Sequence, residues 1–327
     1  MKRKLFAALA ATGLMQFVVP DVAAQGVSAY PERPVRWIVP FAPGASNDIT
    51  ARLFAQKLSE STGQQFVVDN RPGAGGSVGA KIAVEASPDG YTLLHANPGP
   101  SVNNVLLRRS PPYRQTDLAP VIFIGYSPLI IVAAPSFAPN NVPELLAYTK
   151  ANPGKLTWAS SGLGSSLHIA QALFAASTGA EFVHVPYKGT APAFADVISG
   201  RVNVTYTTVV SGDAHIKAGR LKILGVAAPK RQGVIPNVPT LQEQGVSNAE
   251  ATVWFGVQVP AKTPKPIIAK LNAELNKALN LADVKSTLDK LGLVYAGGTV
   301  EDFAGFIRQE SDRLRMLIKT RRIEMMD

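Results

Sequence analysis

The chain has no cysteine, only four histidines in 327 residues, and no apolar run beyond residue 19 that approaches a membrane span. Without cysteine there are no disulfides, no thiolate nucleophile or thiolate metal centre, and no lipid on an N-terminal thiol. His95, His168, His184 and His215 lack ligand-like spacing, so no metal site is expected. A phosphate-binding G-x-x-x-x-G-K-[ST] is absent, and the glycines from Gly73 break the G-x-G-x-x-G pattern at Val78. No nucleotide or other cofactor is therefore expected. The net charge of +10 is the remaining clue to partners. The basic residues are scattered, with doublets such as Arg108-Arg109 and Arg321-Arg322 but no aromatic-interleaved stripe, which argues against nucleic acid. A mild field attracting small anions is the better reading.

The N-terminus has the marks of an export signal. Lys2-Arg3-Lys4 precedes an apolar run from Leu5 to Val19, interrupted only by Thr12, Gly13 and Gln16, and Val22-Ala23-Ala24 supplies small residues for cleavage. The run is too short to anchor a chain across a bilayer. Residues 1–24 are expected to be removed near Ala24. Losing Lys2, Arg3, Lys4 and Asp21 takes away +3 and −1, so the charge falls from +10 to +8. About 300 residues remain, enough for two lobes with separate cores.

One device recurs along this remainder. Val35 to Pro40 reads as a strand, Phe41-Ala42-Pro43-Gly44-Ala45 as a turn, and Ile49 to Leu58 as a buried helix with Ser46, Asn47 or Asp48 as cap. The first amides of a helix lack partners within it and carry partial positive charge, so a strand feeding such a turn is a natural anion seat. The same grammar returns at Asn70 to Ser77, at Ser160 to Ser166 and at Tyr187 to Thr190, each ahead of a predicted helix. Strands alternating with helices predict doubly wound α/β lobes. The apolar stretch Ala119 to Pro135 is too long for one ordinary strand, and two consecutive strands breaking near Tyr126 to Pro128 are predicted. Thr252 to Val259 reads as a strand crossing back. Lobe 1 is then residues 27–126 plus 252–327 and lobe 2 residues 127–251, joined by a two-strand hinge with the crevice at the carboxyl ends of both sheets. Ser211 or Asp213 is expected to cap a short helix, Pro239-Thr240 to open another, and three helices to complete the chain.

Ser165, Ser166 and His168 raise the possibility of an exported serine hydrolase. Their spacing is helical rather than that of an assembled triad, and G-x-S-x-G is absent, so a helix cap is the simpler role. Lys188 and Arg71 flank the loops and could pair with an anion. Asp213 could receive a ligand amine, though as a cap it would need none. Phe41 and Tyr187 could wall the crevice, and Trp254 is expected to pack at the hinge.

Several phrases together resemble one family. They include Tyr30-Pro31-x-Arg33-Pro34, Ile38-Val39-Pro40-Phe41-Ala42-Pro43-Gly44 and Asn70-Arg71-Pro72-Gly73-Ala74-Gly75-Gly76. Pro88-Asp89-Gly90-Tyr91-Thr92-Leu93-Leu94, Val185-Pro186-Tyr187-Lys188-Gly189, His215-Ile216-Lys217-Ala218-Gly219 and Val238-Pro239-Thr240-Leu241-x-Glu243-x-Gly245 continue the match. In order and wording these are similar to the Bug family, periplasmic solute-binding receptors of tripartite tricarboxylate transporters. The resemblance spans essentially the whole mature chain. It implies a type II periplasmic-binding-protein fold that closes on a mono- or dicarboxylate or similar organic anion, held by loop backbone groups and bound water.

Carried over by motif, the implied site includes Phe41, Ala42, Gly44, Gly73, Ala74, Ser165, Ser166, Gly189, Thr190 and Ala191. Ala45 stands where the family's first loop usually has a second glycine; its Cβ is expected to narrow the pocket or restrict φ. The implied protein is a monomeric receptor in the periplasm that does no chemistry and hands its ligand to membrane transporter subunits. Delivery to a sensor kinase is the other use of the same fold.

Overall fold

A computed structural model describes residues 29–320 together with 323, 325 and 326. The predicted export signal, residues 1–24, lies outside the described residues. The first βα units follow the sequence pattern closely. Strand β1 (Val35–Val39) leads into helix α1 (Ser46–Thr62), then β2 (Phe66–Asn70), α2 (Ser77–Val84) and β3 (Thr92–Ala96). β1 pairs in parallel with both β2 and β3, as βαβ crossovers require. Beyond β3 the chain forms a one-turn π-helix (Gly99–Asn103) and a short helix (Asn104–Leu106). Its Ser101, Asn103 and Asn104 are buried and hydrogen-bonded.

The apolar stretch that follows corrects the sequence reading. It is one strand, β4 (Leu118–Ala133), not two. Register shifts between Pro120 and Ile122, between Phe123 and Gly125, and between Ile131 and Val132 bend it without ending it. The bends let a single strand serve two sheets.

Its first part, Leu118 to Pro128, pairs antiparallel with β9 (Thr252–Pro260), which borders β3. Its second part, Leu129 to Ala133, runs antiparallel to both β7 (Val204–Thr208) and β8 (Lys222–Val226). β7 continues in parallel to β5 (Thr157–Ser160), and β5 to β6 (Val183–Pro186). The strand order is thus β2-β1-β3-β9-β4-β7-β5-β6. The chain crosses from one sheet to the other along β4 and returns at Ala251, whose carbonyl accepts from the Leu129 amide at 3.0 Å.

The second series has helices α3 (Val142–Ala151), α4 (Ser166–Thr178), α5 (Thr190–Ile198) and α6 (Val209–Lys217). Asn141 caps α3, accepting from Glu144 N at 2.8 Å. Two other caps differ from the sequence reading. α1 is preceded by Ala45 in extended conformation, and Asp48 reaches back from the first turn to the Gly44 amide. α6 is capped by Thr208, which accepts from Ser211 N at 3.1 Å. No helix opens at Pro239-Thr240. Thr240 and Glu243 exchange side-chain-to-amide bonds there, but the segment closes as a turn.

The chain ends with α7 (Lys265–Leu279), α8 (Ala282–Lys290), a short strand β10 (Val294–Tyr295) and α9 (Val300–Lys319). β10 was not legible; it pairs with Gly125 and Tyr126 of β4.

Apolar packing locks these pieces. Ile38, Ala80, Ala83, Leu94 and Leu118 form one buried cluster beside β1 and β3, while Ile130, Val132, Phe194 and Val197 form another on the second sheet. A third joins the two, because Leu173 of α4 packs with Trp254, Phe303, Ile307 and Leu314. Trp254 sits edge-on to Phe303 and Phe306, with ring centroids 5.7 and 5.5 Å apart.

Candidate functional site

Four helix N-termini meet around one buried cavity between the two sheets. Ser46 and Asn47 open α1, Ser166 and Leu167 open α4, Thr190 opens α5, and Thr208 and Ser211 belong to the start of α6. Phe41, Ala45, Asn97, Ser161 and Val253 complete the wall. Among the described residues no lining residue carries a charge. The polar groups are hydroxyls, two asparagine amides and the leading amides of the helices, so the wall offers donors and partial positive charge without a cation. The cavity measures about 20 Å³ by the positions a water centre can take. That is room for one or two waters, so a larger molecule enters only if the walls part.

The walls are fastened by a few direct bonds. Ser46 N donates to Ser211 Oγ at 2.9 Å, Ala42 N to the Lys188 carbonyl at 3.2 Å, and Asn103 Nδ2 to the Gly164 carbonyl at 3.0 Å. Glycines allow the close approach. A Cβ on Gly189, where φ is +154°, would lie 3.0 Å from Ala42 N; one on Gly75, where φ is +61°, would lie 2.0 Å from the Leu163 carbonyl.

The first loop is held from behind by Asp48, whose carboxylate accepts from Gly44 N, Arg52 Nε and Asn70 Nδ2 at 3.0–3.1 Å. Asn70 Nδ2 also reaches the Phe41 carbonyl at 3.1 Å. Burial opposes ionisation of Asp48, yet these donors together hold its pKa below the ordinary carboxylate value.

Of the residues singled out in the sequence, Phe41, Ala45, Ser166 and Thr190 line the cavity. Ala42 and Gly189 face one another at the seam, as do Gly44 and Ala191. Ser165 caps α4, with its Oγ accepting from His168 N at 3.3 Å. Gly73 packs on Val78, and Ala74 lies on an outer groove rather than in the cavity. Ala45 has φ −107° and ψ 176°, ordinary extended backbone, so its Cβ imposes no strain.

Sequence reasoning missed Asn97, Ser161, Leu167, Thr208 and Val253 as wall residues, and saw Ser46, Asn47 and Ser211 only as caps. Arg71 is paired with Asp69 at 2.9 Å, and Asp213 with Lys217 at 2.9 Å. Tyr187 gives its hydroxyl proton to Asp196.

The serine–histidine arrangement is not assembled at Ser165 or Ser166. His168 Nδ1 accepts from Gly164 N at 3.3 Å, and its ring stacks on His184 with centroids 4.6 Å apart. Burial, with His184 beside it, pushes the His168 pKa down to about 4, so the ring is neutral at ordinary pH. His184 Nε2 meets Ser160 Oγ at 2.6 Å, and that hydroxyl accepts from Gly162 N. Both imidazoles therefore brace the β5–α4 loop. Among the described residues no group of three or more metal-ligating side chains occurs.

A cavity between two α/β sheets, walled by helix starts, is the setting in which the comparisons with known proteins fall. The model of the tripartite tricarboxylate transporter family receptor matches residues 50–323. The chain belongs to that receptor family. The UPF0065 protein in the tcbD–tcbE intergenic region of Pseudomonas sp. strain P51 is 38% identical over 97% of this chain and 94% of its own length. Protein BugT of Bordetella pertussis is 36% identical over 92% of this chain and 95% of its own.

Among solved structures, the periplasmic binding protein BugD superposes with TM-score 0.86 at 32% identity, covering 90% of this chain and 99% of that one. R. palustris Rpa4515 with adipate gives 0.86 at 34%, covering 89% and 98%. MatC of Rhodopseudomonas palustris with bound malate gives 0.83 at 30%, covering 87% and 98%. The tricarboxylate-transporter receptor thus has the α/β periplasmic-binding fold expected from the Bug resemblance.

Proposed function

We propose that this receptor is a monomeric periplasmic protein that closes on a small organic acid and delivers it to a tripartite tricarboxylate-type transporter, without transforming it. Residues 27–126 and 252–327 act as one lobe and residues 127–251 as the other, moving about β4 and β9. The observation that carries the reading is the convergence of four helix N-termini on a wall with no charged side chain. Each helix end stabilises a nearby anion by roughly 0.3–1 kcal/mol, more when partly buried, and desolvated hydrogen bonds add to this. Together they can approach the ~8 kcal/mol of micromolar binding. Adipate and malate in the related structures are the chemistry such a wall suits.

Gly44, Gly189 and Ala191 act through the backbone at the seam in this reading, and Ser165 through its cap, while Gly73 and Ala74 stand outside the cavity. Phe41, Ala42, Ala45, Ser166 and Thr190 would contact the ligand or the water around it. The absence of a base for Ser165 or Ser166, together with the family, favours binding over hydrolysis.

Calorimetry of the mature chain with adipate, malate and the uncharged adipamide tests the proposal. A dicarboxylate is expected to bind near micromolar Kd while the diamide does not. Equal binding of acid and diamide, or no binding by a panel of organic acids, would overturn it.

A further inference from the structure

A second concavity lies on the outside of the seam, with a volume of about 550 Å³ against the 20 Å³ of the inner cavity. Its surface is mostly apolar: Ala74, Leu163, Pro186, Tyr187 and Pro192, with Leu163 45% exposed. Two cations, Arg108 and Lys188, stand on it, and among the described residues no acidic one lines it. Among the described residues Arg108 Nε meets the Asn104 amide oxygen at 3.4 Å, and neither Arg108 nor Lys188 has a carboxylate partner. The nearby Asp196 is already engaged by the Tyr187 hydroxyl and by Arg201. An exposed apolar surface with uncompensated charge of one sign marks a site for a partner of the other sign.

The groove also has two owners. Ala74 and Arg108 come from the turn before α2 and the segment after β3, whereas Leu163 comes from the β5–α4 loop, Pro186 from the end of β6, Tyr187 and Lys188 from the β6–α5 loop and Pro192 from α5. The halves are brought together by the seam bonds of Lys188 with Ala42 and of Gly164 with Asn103. When the walls part, the groove parts with them.

We infer that this groove docks a segment of the transporter's membrane subunit bearing a carboxylate beside an apolar side chain, and that it does so only in the closed receptor. The apolar side chain takes the floor around Leu163, and the carboxylate takes Arg108 and Lys188. A partner reading both halves at once distinguishes loaded from empty receptor without touching the ligand. The inference rests on the transport role proposed above.

The absence of cysteine makes the test direct. A photo-crosslinker on Leu163→Cys is compared in intact cells with one on Val67→Cys, 52% exposed but outside the groove. The product is identified by mass spectrometry. The expected result is an adduct with the transporter's membrane subunit from position 163 only, lost when Arg108→Glu is added.

In a second arm, Arg108→Glu with Leu163→Asp lowers uptake of labelled adipate or malate roughly tenfold or more, as loss of an interface anchor does, while the calorimetric Kd stays within about twofold. Equal crosslinking from both positions, none from position 163, or unchanged uptake would overturn the inference. So would a Kd weakened in step with uptake, which would make the groove an anion subsite. If neither acid binds, the ligand proposal fails, and the crosslinking arm still decides the groove.

Discussion

Ser46 and Ser211 stand 165 positions apart in the chain, and the amide of the first donates to the hydroxyl of the second at 2.9 Å. The bond joins the start of α1 to the first turn of α6, so two helix ends that could each hold an anion are tied to one another. Ser211 Oγ is itself 3.0 Å from Thr208 Oγ1, the α6 cap. A ligand oxygen entering here competes with a protein hydroxyl for the Ser46 amide, and closure and binding therefore share one donor.

Gly189→Ala is expected to weaken organic-acid binding more than it lowers the thermal midpoint. The new Cβ meets Ala42 N at 3.0 Å and its Cβ at 3.1 Å, so the seam cannot close fully. Overpacking of this kind costs about 1–3 kcal/mol, roughly fivefold to a hundredfold in Kd. Calorimetry beside thermal melting checks it. Lys188→Ala, which removes a side chain outside the inner cavity, is expected to change Kd by less than about threefold.

Asp48→Ala removes the acceptor for Gly44, Arg52 and Asn70 at once. Charge-assisted bonds of this type contribute about 1.5–3 kcal/mol. The expected outcome is a lower denaturation midpoint together with weaker binding, because the first loop carries Phe41 and Ala45 of the cavity wall. Arg52→Lys, keeping the charge, should reproduce only part of the loss.

Stability is expected to fall as pH drops from about 6.5 toward 4. The His168 pKa is depressed from 6.5 to about 4 in the folded chain, so between those values the unfolded chain takes up a proton that the native one refuses. The full contribution is present above pH 6.5, is lost through this window and levels off below it, amounting to about 3 kcal/mol. His95, buried beside Trp37 and Phe255 and lowered to about 3 by burial, extends the slope downward. Denaturant unfolding across pH, repeated on His168→Gln, should show a shallower dependence for the variant.

Ser165→Ala and Ser166→Ala separate the binding and hydrolytic readings. Loss of the α4 cap by the first should cost about 1 kcal/mol of stability. The second removes a hydroxyl from the cavity wall and should alter Kd while leaving the midpoint nearly unchanged. Esterase activity in the parent chain that vanished in either variant would contradict a pure receptor.

Much of the fold could be read from local chemistry. Pro, Gly and Asn punctuate the chain after nearly every strand, and the apolar spacing of Phe303, Ile307 and Leu314 gave α9 its buried face. The misses have physical causes. β4 was split because length alone signalled two strands, whereas bulges near Ile122 and Gly125 let one strand bend through both sheets. Asp48 was read as a cap because a cap and a third-position acid look alike in sequence; only the Gly44 bond separates them. β10 has two residues and leaves no periodic trace.

The sequence by itself determined the alternation of strand, turn and helix, the lack of thiol chemistry, and the turns that prepare helix starts for negative charge. These are properties of short windows, set by backbone preference and residue type. Tertiary structure decided which of those turns meet. It put Ser46, Ser166, Thr190 and Ser211 on one wall, sent Ala74 and Lys188 to an outer groove, and left Asp213 on its own helix with Lys217. Such groupings depend on how β4 and β9 carry one sheet past the other, and no window of neighbouring residues contains that geometry.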